Sequence, residues 1–234
     1  MKVVYAFVFA RGGSKGLPKK NALKLGGIPL IAHSILKAKQ VSAISKVIVS
    51  TDDPELKEIA QEYGAEVIQR PDELASDTAS EVDAWRHAIE YLSARGELFD
   101  IFISLPATSP LRSTRDIKDC IDALDETSDS VITVTAASRN PYFNMVIKNS
   151  DGRCEIMNKS KDGFSRRQDA PEAFDITTVA YVLRPSHILA GKGPLQGRVT
   201  SIEIPKERAV DIDDIWDFKL AEQIYKMNME SQNA

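Results

Sequence analysis

The stretch VVYAFVFARGGSKGLPKKN, residues 3–21, decides the class of fold. Its first seven residues are apolar and uncharged, rich in β-branched and aromatic side chains, as in a strand covered on both faces of a parallel sheet. From Ala10 the character changes: glycines stand at 12, 13 and 16, and cations at Arg11, Lys15 and Lys20. Open α/β sheets keep their ligand crevice beyond the carboxyl ends of such strands.

Gly12, Gly13 and Gly16 let a backbone turn tightly and bring its amides close to an anion. Cations crowded into one turn repel one another unless an anion lies between them, and charge-assisted hydrogen bonds are about twice as strong as neutral ones. The alternative is a solvated glycine-rich turn with incidental lysines. The spacing is neither the GxxxxGK[ST] of a P-loop, since Leu17 and Pro18 follow Gly16, nor the GxGxxG of a dinucleotide site. A nucleotidyltransferase loop survives that elimination.

Working outward, β-branched runs recur at 46–50, 65–68, 101–105 and 130–135, and again at 178–183 and 200–204. Amphipathic stretches at 29–39, 53–63, 80–95 and 114–125 lie between strands, and a last helix starts near Asp214. The alternation predicts an α/β fold: a mostly parallel, Rossmann-like sheet flanked by helices in three layers. From 138 to 174 a polar stretch with Asn140, Pro141, Gly152, Gly163 and Pro171 breaks the rhythm and reads as an inserted hairpin arm. Residues 1–234 are read as one domain, since this length suits one generous core.

The 34 acidic and 30 basic residues nearly balance at a net charge of −4, which argues against a nucleic-acid surface. Cys120 and Cys154 supply neither a disulfide framework nor paired zinc spacing, and the amino-terminal apolar run is too short to span a bilayer. A cytoplasmic protein without a membrane partner is expected. His33, His87 and His187 lie in separate segments and build no zinc site or hydrolytic triad; His33 reads as a packing or capping residue. Trp85 and Trp216 fall on predicted helices and are expected in the core.

Near the carboxyl end, Asp211 and Asp213 are one residue apart, so on an extended segment both carboxylates face one side and can share a hard cation. The competing reading is a helix N-cap with acidic neighbours, a role that Asp214 fills in either case. Asp77 has the same two readings, ligand or cap of the helix beginning near Ser80.

The loop ARGGSKGLPKKN resembles the signature of the CMP-sialic acid synthetases, the acylneuraminate cytidylyltransferases. The resemblance continues in order through PLIAHSI at 29–35, VIVSTDD at 47–53, RPDELASDTAS at 70–80, TSPLR at 108–112 and VDIDD at 210–214. It implies transfer of CMP from CTP to the anomeric hydroxyl of an acidic nine-carbon sugar. Arg11, Ser14, Lys15 and Lys20 would then hold the triphosphate beside Gly12 and Gly13, while Asn21 and Arg70 would bind ribose and cytosine. Without the resemblance, Arg70 reads as a surface arginine ahead of Pro71.

The resemblance favours the metal reading of Asp211 and Asp213, with magnesium, or manganese in its place. Lys15, Lys20 and Asp211 are the catalytic candidates. In RRQDAPEAF, Arg167 takes the place expected to meet the sugar carboxylate, a contact suited to a guanidinium fork, with Tyr181 near the sugar. A homodimer whose 138–174 arm crosses to the partner is implied as well.

Departures sit at the sugar end. Relatives often have QPTSP where this chain has LPATSP, which puts Pro106 at the glutamine position, and RPNGAIY where it has DITTVAY. An acceptor such as legionaminic acid or a Kdo-like acid is therefore the nearest alternative to N-acetylneuraminate. Further off lie a non-catalytic nucleotide-sugar-binding module and a metal-dependent glycosyltransferase, whose Asp-x-Asp usually lies mid-chain.

Overall fold

Side chains along Val4–Phe9 (β1) turn alternately to two cores: Val4, Ala6 and Val8 face one, Phe7 faces the other, and Tyr5 and Phe9 pack against the second. This two-sided burial is why the strand carries no polar alternation. The computed structural model of the chain describes residues 2–13, 16–76, 78–160 and 163–232.

After β1 come a small hairpin of Lys24–Leu25 (β2) and Ile28–Pro29 (β3), helix Leu30–Lys39 (α1), strand Ile44–Thr51 (β4) and helix Pro54–Glu62 (α2). Strand Glu66–Gln69 (β5), helix Glu81–Ser93 (α3), strand Ile101–Ser104 (β6), helix Thr114–Asp122 (α4) and strand Ser130–Ala136 (β7) follow. Strands Val146–Lys148 (β8) and Cys154–Ile156 (β9) pair with each other only, ahead of strand Phe174–Leu183 (β10), helix Pro185–Leu189 (α5), strand Val199–Glu203 (β11) and helix Ile215–Gln232 (α6).

Seven strands form one sheet in the order β11-β7-β10-β6-β1-β4-β5. β10 alone runs against its neighbours, antiparallel to both β6 and β7, so the predicted mostly parallel three-layer sheet is observed. α1, α2 and α4 cover one face; α3 and α5 cover the other, with Trp85 fully buried against Phe102 at a ring separation of 5.2 Å.

β10 begins at Phe174, four residues before the predicted start, because it continues past a bulge between Thr177 and Tyr181. The Thr133 hydroxyl fills that gap, accepting from the Ala180 amide at 3.2 Å. A buried backbone group that the ladder abandons is thereby satisfied.

A third cluster, Leu25, Leu30, Leu111, Ile212 and Ala221, joins α6 to the β2–β3 hairpin. Only one side of α6 is used, so Trp216 stays 71% exposed, against the expected core position. Helical spacing marks which residues share a face, but α6 packs on a two-stranded hairpin too narrow to cover a second one. His33 packs as expected, its Nε2 2.9 Å from the Leu25 carbonyl. Among the described residues no helix is long and apolar enough to cross a membrane.

Candidate active site

Loops leaving β1, β5 and β6 meet the start of α3 and the segment before α6 around a cavity of about 520 Å³. Arg11, Gly13, Gly16, Lys20 and Asn21 line it from the first loop, Arg70 from the chain after β5, and Ser80 and Glu81 from α3 and its approach. Pro106, Ala107 and Thr108 follow β6, and Asp213 precedes α6. The first loop thus lies beyond the carboxyl end of β1, where the sequence placed the crevice.

Local bonds shape the loop. Asn21, 8% exposed, donates from Nδ2 to the Arg11 carbonyl at 3.2 Å, and the Gly12 amide reaches Asp52 Oδ1 at 3.3 Å. Lys19 is the left-handed non-glycine residue among those described, at φ 53°. Gly16 serves a different purpose: a Cβ there would stand 2.5 Å from the Asp213 carbonyl oxygen, so its glycine admits the closing segment.

The two ends of the chain meet directly. Lys20 Nζ is 3.0 Å from Asp213 Oδ1, with the lysine side chain 13% exposed. Ile212 is turned into the third cluster and its amide donates to the Thr108 carbonyl at 2.9 Å. The alternation of extended backbone turns Asp211 and Asp213 away from that cluster. Asp211 Oδ1 is buried without a hydrogen-bond partner. A buried orphan acceptor beside a second carboxylate on the cavity fits a divalent cation, provided phosphate oxygens complete its shell. Asp214 and Asp217 do the capping: Asp214 Oδ1 accepts from Trp216 and Asp217 amides, and Asp217 Oδ2 accepts from those of Asp213 and Asp214.

Arg70 is 6% exposed, unlike a surface arginine. Its Nη2 donates to the Ser50 carbonyl at 2.7 Å and its guanidinium lies 5.6 Å from the Phe9 ring centre. Burial lowers its pKa, with the charges of Asp52 and Glu81 opposing.

Arg112, named within TSPLR but given no role by sequence, is buried behind Pro106. It donates to Ser34 Oγ and to the Pro106 carbonyl, both at 2.5 Å, and to the Thr178 carbonyl at 3.3 Å. Burial pulls its pKa down, while the nearby Asp211 and Asp116 charges oppose that. Arginine eight residues after the end of β6, two after Pro110, is the only sequence signal that marked it.

Tyr181 packs 6.0 Å from the Trp85 ring, and burial, with Glu81 and Asp211 adding to it, pushes its phenol up to about 12. Arg167 stands elsewhere: it donates to the Ala137 carbonyl at 2.5 Å and lines a second cavity with Arg139, Asn140, Glu172 and Glu203. Within one chain the cavity therefore gathers Arg11, Gly13, Lys20, Asn21, Arg70 and Asp213, while Gly12 and Asp211 stand next to lining segments and Tyr181 and Arg167 are not on its wall. Ser14, Lys15 and Asp77 lie outside the described residues.

A family model described as cytidylyltransferase matches residues 5–230. The chain is 36% identical to post-translational flagellin modification protein B of Campylobacter coli, covering 97% of this chain and 96% of that one. It is 34% identical to CMP-N,N'-diacetyllegionaminic acid synthase of Campylobacter jejuni, over 95% of this chain and 94% of that one. Among solved structures, CMP:2-keto-3-deoxy-manno-octonic acid synthetase complexed with CTP superposes with a TM-score of 0.72 at 19% identity, over 97% and 99% of the two chains. At that identity the likeness speaks for the fold alone.

Proposed function

Because this chain belongs to the cytidylyltransferase family and is a nucleotidyltransferase, we propose that it transfers CMP from CTP to the anomeric hydroxyl of a nonulosonic acid, an acidic nine-carbon sugar. The observation that carries the reading is the Lys20–Asp213 contact, which brings the cationic first loop and the segment of the late carboxylates together at one cavity, with Asp213 on its wall.

The anomeric oxygen attacks the α-phosphorus, the bond from that phosphorus to the bridging oxygen breaks, pyrophosphate leaves, and the hydroxyl proton passes to solvent. Such transfer depends on placement and charge neutralisation rather than on a protein nucleophile. Arg11, Lys15 and Lys20 neutralise the triphosphate and the departing pyrophosphate, and Asn21 and Arg70 face ribose and base. Magnesium, or manganese, would be held by Asp211 and Asp213, and when bound would supply Lewis-acid stabilisation of phosphate charge.

The acceptor is read as a relative of legionaminic acid rather than N-acetylneuraminate. Pro106 supports this: it has no side-chain donor or acceptor, and its carbonyl is taken by Ser34 and Arg112. The similarity to a CMP-N,N'-diacetyllegionaminic acid synthase points the same way.

We also read the protein as a homodimer in a cytoplasmic setting. Val146, Ile147, Met157, Phe174 and Ile176 are exposed along the arm and the start of β10, an apolar surface suited to a second copy. That arrangement would carry Arg167 toward the partner's sugar pocket.

Pyrophosphate release with CTP, magnesium and a panel of acidic sugars tests the reading. Turnover is expected with nonulosonic acids and fastest with the legionaminic type; no release with any acidic sugar would overturn it.

A further inference from the structure

The cavity wall beside Arg70 carries a carboxylate that the phosphate-binding account leaves unused. Glu81 opens α3 with its side chain exposed to the cavity, whereas Ala84 and Trp85, one turn on, are buried. Glu81 and Asp213 are the acidic side chains on this wall among the described residues. Asp213 is tied to Lys20, but among the described residues no salt bridge reaches Glu81.

Burial pushes the Glu81 carboxyl above its ordinary pKa, with the Trp85 indole and the Arg70 charge opposing. A carboxylate facing the site of a polyanion is unfavourable unless the ligand brings a donor to it. CTP offers two kinds of donor, the ribose hydroxyls and the 4-amino group of the base, and of these only the base is planar and apolar-faced. Phe9, Leu74, Ala79 and Ala84 give this part of the wall the apolar surface that a planar base needs.

We infer that Glu81 reads the base: its carboxylate accepts from the 4-amino group of cytosine and disfavours uracil, whose O4 turns lone pairs toward it. This rests on the cytidylyltransferase reading, and it adds a specificity residue to that site. A well-placed carboxylate on this amino group discriminates between bases by roughly ten- to a hundredfold.

The test is calorimetric titration of CTP and UTP, each with magnesium, into the wild-type protein and E81Q, with circular dichroism confirming the fold. The wild type is expected to favour CTP by about tenfold or more. E81Q, whose amide can donate to O4, is expected to lose most of that preference, through weaker CTP and stronger UTP binding. A CTP:UTP ratio unchanged in E81Q would overturn the inference, as would equal weakening of both, which would put Glu81 against ribose or phosphate. Equal wild-type binding of the two nucleotides also overturns it while sparing the phosphate site. Binding of neither would sink the cytidylyltransferase reading as well.

Discussion

Lys20 joins the glycine-bearing first loop to a carboxylate of the segment before α6. It is 13% exposed and bonded to Asp213, so its ammonium is fixed in place at the cavity. Preorganised charge of this kind is worth most where water is excluded. Lys20→Ala and Asp211→Ala are each expected to fold normally and to lose on the order of a hundredfold or more in turnover. Steady-state pyrophosphate release checks this, and near-normal kinetics in either variant would remove that residue from the reaction. Asp211 was legible as a carboxylate two residues from another. Its orphaned Oδ1 was not, because a missing partner is a property of surroundings built from distant segments.

At the scale of elements, α4 shows how a helix start anchors the site. Ser113 and Asp116 form a reciprocal capping box, and the nearly buried Asp116 also takes Arg208 Nε at 2.9 Å and Nη2 at 3.0 Å. That pair pins the chain three residues ahead of Asp211. Asp116→Ala removes the side-chain half of the capping box and leaves Arg208 only its distant contact with Glu207, and should cost about 2–4 kcal/mol of stability. Denaturant unfolding would show it as a lower midpoint; an unchanged midpoint would mean that Arg208 finds full compensation in solvent. The helices and strands themselves were largely readable. α2, for example, begins at Pro54 behind Asp53, whose Oδ1 accepts from the Leu56 amide at 3.0 Å, a local signal that sequence carries in full. α6 was readable as a helix but not as one with an exposed Trp216, because its burial depends on what lies opposite.

For the whole molecule, the arm leaves apolar side chains uncovered: Val146 is 56% and Ile147 49% exposed. Light scattering is expected to give twice the chain mass, and Ile147→Asp to shift it toward the monomer with loss of sugar turnover. A monomer with full activity would contradict the dimer. Sequence alone determined the strand-and-helix order, the two-sided burial of β1, and the place of a cationic, glycine-bearing loop directly after that strand. These follow from side-chain periodicity and local backbone chemistry, which neighbouring residues settle among themselves. Tertiary structure alone decided that Lys20 meets Asp213, that Gly16 yields space to the closing segment, that Arg70 is buried over Phe9, and that Glu81 faces the cavity while Arg167 does not. Each is a contact, or a separation, between segments tens to hundreds of residues apart along the chain. Such distances are fixed only when the sheet's twist and order bring strand ends to one edge.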